Sequence, residues 1–143
     1  MTPSSYLTGN IENIDDFSAC KITRKEDWLD LYAKCYYFGC EADDRMNATA
    51  FGRNNPFGSK LKAIFSSDIG HFDVIGMRHP VPEAYELVED GHITADDFRA
   101  FTFSNAVKLW GTQNPKFFEG TRVAKEAAAV LPAAQTPTLA AAE

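Results

Sequence analysis

The chain has 143 residues, of which 45% are apolar, 13% aromatic and 24% charged, a composition that excludes fibrous, collagenous and wholly disordered proteins. At this length a single domain buries about 68% of its unfolded surface, so neither disulfides nor a metal is required to hold a core together. With 14 Lys and Arg against 20 Asp and Glu, the net charge of −6 offers no basic footprint for a phosphate backbone, and no nucleic-acid partner is expected.

Residues 1–10 read as an irregular entry, and the spacing of Ile11, Ile14 and Phe17 suits a short helix with one buried edge. Thr23-Arg24-Lys25-Glu26 has capping-box spacing and predicts a helix over 24–34, with Trp28, Leu31, Tyr32 and Cys35 as its inner stripe. Cys35 to Glu41, aromatic and without polar alternation, predicts a strand covered on both faces. Asp43 or Asp44 can cap a helix through Phe51, which Asn54-Asn55-Pro56-Phe57-Gly58 would end. Lys60 to Asp68 predicts a second strand, and the order helix, strand, helix, strand predicts parallel pairing through a crossover.

After a long connection, a helix opens at Pro82 and closes at Gly91; another starts at the Thr94/Asp97 capping box, is interrupted or re-capped at Ser104 and Asn105, and ends at Gly111. From Ala124 onward the composition turns to Ala and Pro, as in a helical stub followed by a mobile tail, so residues 1–123 are read as the structured part and 124–143 as the tail.

No apolar run approaches the ~20 residues of a membrane span, and Met1 to Leu7 has neither the basic region nor the apolar stretch of a signal peptide, so a cytoplasmic location without membrane contact is expected. Cys20, Cys35 and Cys40 match neither a disulfide framework nor Cys-x-x-Cys and are expected to be reduced, buried thiols. No Gly-rich phosphate loop, Gly-x-Ser-x-Gly elbow or His-Glu-x-x-His occurs.

In parallel α/β structures ligands bind beyond the carboxyl ends of the strands. Two clusters stand there: Glu41, Asp43 and Asp44 after the first strand, and Asp68, His71 and Asp73 after the second. Asp68 is placed to ligate a divalent metal and move a proton, although an Asp there serves equally as a helix N-cap or as an acceptor bracing the loop. His71 could bond a substrate, with Asp73 fixing its tautomer, or simply bond backbone; Glu41 could face the same cleft, whereas Asp43 and Asp44 suit helix caps. His79 and His92 look solvent-exposed.

The segment Leu61 to Val74, with Ser67-Asp68 at its centre, and the later Asn105-Ala106-Val107-Lys108-Leu109-Trp110-Gly111 resemble the C-terminal end of amidohydrolase-related metal-dependent hydrolases, the TIM-barrel group that includes aminocarboxymuconate-semialdehyde decarboxylase. Phe38-Gly39-Cys40-Glu41-Ala42-Asp43-Asp44 resembles the seventh strand of one subgroup. The resemblance covers about residues 11 to 123. It implies an α/β fold, the last two strands and closing helices of a (β/α)8 barrel, and the hydrolysis or decarboxylation of a small carboxylated substrate. It makes Asp68 the eighth-strand aspartate, a metal ligand and proton carrier, and puts His71 in the loop that lines the substrate pocket. The implied cofactor is a divalent metal, zinc by preference.

The family's other ligands are a His-x-His pair on the first strand and a His near the fifth, with a catalytic His on the sixth, whereas the histidines here, His71, His79 and His92, all follow Asp68. A full barrel takes about 250 residues. The expectation is therefore a fragment of a longer barrel, inactive alone because one carboxylate does not hold a catalytic ion, with open sheet edges that invite the remaining barrel or a second copy. The competing reading is a non-catalytic α/β relic used for self-association or partner binding, in which Asp68 only braces its loop.

Overall fold

Hydroxyls and carboxylates compete to close the first helical turn, and the winner is not the one that spacing favours. The computed structural model describes residues 22–131; the expected helix at residues 11–17, Cys20 and the tail beyond residue 131 lie outside them. The chain divides into two units, Met1–Cys35 and Tyr36–Glu143. In the first, Asp27 rather than Glu26 caps the turn. Its carboxylate accepts from Thr23 N (2.9 Å), Thr23 Oγ1 (3.0 Å) and Arg24 N (3.1 Å), and pairs with Arg24 Nε at 3.0 Å. The Thr23 amide first, then the Arg24 guanidinium, hold its pKa far below the usual carboxylate range. The helix beyond is a wide π turn, Leu29–Ala33, and only Ala33 is buried there. The stripe expected to face inward is about half exposed, Trp28 at 43%, Leu31 at 45% and Tyr32 at 49%, and the Cys35 thiol is exposed, not buried.

The second unit opens with β1 (Tyr37–Glu41), which pairs in parallel with β2 (Lys62–Ser66) in the register Tyr37↔Lys62 to Glu41↔Ser66. The described part of the chain is thus mixed α/β, with a two-stranded parallel sheet. Both strands are shorter than the sequence suggests. The crossover between them is a 3-10 helix, Arg45–Phe51, capped by Asp44, whose side chain accepts from Met46 N at 2.8 Å. Asn47, buried, donates to Glu41 O, and Leu61 N returns to Ala50 O, which ties the crossover to both strands. The stop at residues 54–58 forms as expected, as a Pro56–Gly58 turn with Phe57 and Gly58 at positive φ.

Strand alternation sets the two faces of the sheet apart. Ala63, Cys40 and Phe65 join the core with Phe51, Leu87, Ile93 and Phe101. Tyr37, Gly39 and Glu41 share the opposite face with Lys62, Ile64 and Ser66, and there Lys62 Nζ lies 4.5 Å from the Tyr37 ring centroid. Gly39 and Glu41 are exposed, so the expected cover on both faces is present on one only.

Helix α1 (Pro80–Glu89) begins two residues before the expected Pro82. It ends in a Schellman motif: Gly91, at φ 74°, donates to Val88 O, and His92 N donates to Leu87 O at 2.9 Å. The predicted capping box then starts α2 (Ala95–Arg99), with Asp97 N on Thr94 Oγ1 and Thr94 N on Asp97 Oδ2, both 3.1 Å. Neither Ser104 nor Asn105 interrupts the helical run. It widens into a π segment, Ala100–Ser104, and continues as α3 (Asn105–Gln113). The extra residue in the π turn delivers Asn105 to the sheet, where buried Nδ2 donates to Ala63 O at 2.8 Å. Gly111 does not end the helix. It admits Leu131, whose Cδ1 would stand 2.6 Å from a Cβ at that position, and so lets α4 (Ala124–Val130) close over α3. Among the described residues no helix is long and apolar enough to cross a membrane.

Candidate functional site

Because β1 and β2 run parallel in register, Glu41 and Ser66 end at the same level and the chain leaves both strands on one side. Two residues past β2, Asp68 takes φ 50°, a left-handed backbone that costs a non-glycine residue energy, and Gly70 follows at φ 111°. The turn brings His71 N onto Asp68 O at 3.2 Å and His71 Nδ1 to 2.9 Å from Asp68 Oδ2. Asp73 completes a group whose donor atoms, one each from Asp68, His71 and Asp73, all lie within 4.8 Å of one another. The Asp68 side chain is 22% exposed and His71 67%.

Next to them is a pocket of about 280 Å³, lined by Glu41 and Asp43 from the end of β1, Ser67 and Asp68 from the end of β2, Asp73 to Gly76 from the loop, and Glu83 from α1. Among the described residues no Lys or Arg lines it. Of the site residues expected from sequence, the structure gathers Asp68 and Glu41 at this pocket, with His71 bonded to Asp68 at its side. It separates the Asp43/Asp44 pair: Asp44 caps the 3-10 helix while Asp43 lines the pocket. His79 precedes α1, and His92 Nε2 lies 3.9 Å from Asp90; neither lines the pocket.

Glu83 is the lining residue that sequence reasoning missed. It stands in the first turn of α1, where a carboxylate also favours the helix dipole, so its sequence context pointed to a structural role. The signal that could have found it is Gly76: a Cβ there would lie 2.5 Å from Glu83 Oε1, so glycine is the residue that lets Glu83 reach the pocket wall.

A second groove, about 460 Å³, runs between β1 and the 3-10 helix beside Cys40. Burial first, then the Asp44 charge, push the Cys40 thiol up from its ordinary value, so it stays protonated and is a poor nucleophile.

No known protein-family model, curated protein or solved structure matches this chain. The described residues form a mixed α/β fold around a two-stranded parallel sheet. Asp68, His71 and Asp73 offer two carboxylates and one imidazole, donor types that zinc accepts.

Proposed function

We propose that this chain forms the closing strand pair and last helices of an amidohydrolase-related barrel, a cytoplasmic metal-dependent hydrolase or carboxy-lyase acting on a small carboxylated substrate. One observation carries the reading: an aspartate at the carboxyl end of a parallel strand, beside its neighbour's end, opening on a pocket. Asp68 would hold the ion with one carboxylate oxygen, and the imidazole ligands come from the rest of the barrel. When bound, the ion supplies Lewis acidity that activates water or polarises a substrate carboxylate.

The chain's own part is positional and protonic. His71 Nδ1, 2.9 Å from Asp68 Oδ2, fixes the rotation of the carboxylate and leaves its other oxygen for the site. Asp68 accepts a proton during attack and returns it to the leaving atom. Glu41 and Asp43 form the opposite wall and orient polar groups of the substrate. Alone, the chain turns nothing over. The open sheet face and the two-stranded sheet favour association with the remaining barrel strands or a second copy.

Sequencing upstream of the Met1 codon tests the reading. An in-frame extension with a His-x-His near its start is expected; a stop codon within a few bases, with no separate chain supplying those histidines, contradicts it and favours a non-catalytic binding module.

A further inference from the structure

Among the described residues three polar or charged residues are buried: Asn47, Asp97 and Asn105. A buried amide or carboxylate persists where its hydrogen bonds are met, so the partner of each shows what it does. Asp97 closes the cap of α2, and Asn105 holds the Ala63 carbonyl of β2. Of the three, Asn47 is the one whose side chain bonds a residue lining the pocket: Nδ2 donates to Glu41 O at 2.6 Å.

That bond brackets Glu41-Ala42-Asp43-Asp44, four residues in which the chain leaves β1, sets two carboxylates on the pocket and starts a helix. Asn47 grips the run at both ends, its backbone N–H donating to Asp44 O at 2.9 Å and its amide to Glu41 O. Between these ends Ala42 is sunk in the core, 4% exposed. Extended residues alternate sides, so a run pinned at Ala42 turns Glu41 and Asp43 the same way, onto the pocket, while Asp44 accepts from Met46 N as the cap. Spacing alone does not tell Asp43 from Asp44, since both are acids before a helix. We propose that Asn47 is a positioning residue of the pocket: by bonding the Glu41 carbonyl from the buried side it fixes the path of residues 41–44 and so presents Glu41 and Asp43 to what the pocket binds. The role rests on the reading of this pocket as the substrate site, and it needs no metal on Asp68.

Backbone 15N relaxation on the full chain, without added metal, reads the segment directly. In the parent, Glu41, Ala42 and Asp43 should be as rigid as the strands, with order parameters of about 0.85. Asn47→Leu keeps the bulk and removes the donor; it should drop all three below about 0.6 while Ala63 to Phe65 keep theirs. Asn105→Leu is the control, because it removes a buried amide from the other strand and should leave residues 41–43 rigid. A hydrogen bond that served stability alone would lower the urea midpoint in both variants and loosen residues 41–43 in neither. If Asn47→Leu does not fold, Asn47→Ser, whose hydroxyl is too short to reach Glu41 O, takes its place with the same two outcomes. Residues 41–43 that stay rigid without the Asn47 amide, that loosen equally in Asn105→Leu, or that are already mobile in the parent overturn the proposal. Neither metal nor substrate enters the readout, so the positioning role and the proposed chemistry can fail separately.

Discussion

Asp68 is the residue where stability and the proposed chemistry oppose each other. Its φ of 50° suits glycine, and its Oδ2 lies 2.9 Å from His71 Nδ1. Asp68→Gly relieves the backbone and should leave the protein as stable as the parent, or up to about 1 kcal/mol more so, while removing the site. Asp68→Ala keeps the strain, loses the contact with His71 Nδ1 and should lie about 1 kcal/mol below Asp68→Gly. Urea midpoints order the three; Asp68→Ala at or above Asp68→Gly would show that the backbone is unstrained. Asn105 is the opposite case, a side chain whose work is structural. Replacing it by Leu leaves the Ala63 carbonyl without its buried donor and should cost about 1–3 kcal/mol in the same measurement; a neutral result would mean that water takes over the bond.

At the scale of elements, most local rules written in short spacings survived, the Thr23/Glu26 box apart, where Asp27 takes the cap, and those needing tertiary partners did not. The Thr94/Asp97 box, the Asp44 cap, the 54–58 turn and the parallel strand pair are legible because each is settled within a few residues or by element order. Asn105 and Gly111 read as helix breakers, yet one is held by a strand carbonyl and the other by Leu131, partners 42 and 20 residues away. The Trp28 stripe has the right period, but period states that a face is apolar and not that anything covers it. Asp68 and Glu41 were legible as strand-end acids, whereas Glu83 depended on packing against Gly76.

The Asp97 box also carries a pH dependence. Burial tends to raise this carboxyl, but the hydrogen bonds from Lys60 and Thr94 outweigh it and hold the pKa below the ordinary value. Asp97 therefore adds stability above the unfolded carboxylate pKa, about 3.9, and loses it as pH falls through the lower folded value. Lys60→Met should flatten this limb, losing less stability between pH 5 and 3 than the parent, as followed by thermal melts. Equal slopes would show that Thr94 alone sets the shift.

For the whole molecule, the two-stranded parallel sheet is the decisive feature. Parallel sheets are normally covered on both faces, and here one face carries exposed Gly39 and Glu41 beside Ile64. The chain should associate at micromolar concentration, and Ile64→Lys, at a position that is not fully buried, should shift it toward monomer in sedimentation velocity. A parent that stays monomeric throughout would mean that the open face is a finished surface.

Under the proposed function the Asp68 carboxylate is a metal ligand. Elemental mass spectrometry of the full-length protein beside its Asp68→Ala variant should find about one divalent ion per chain in the parent and none in the variant; equal content in both would rule that role out.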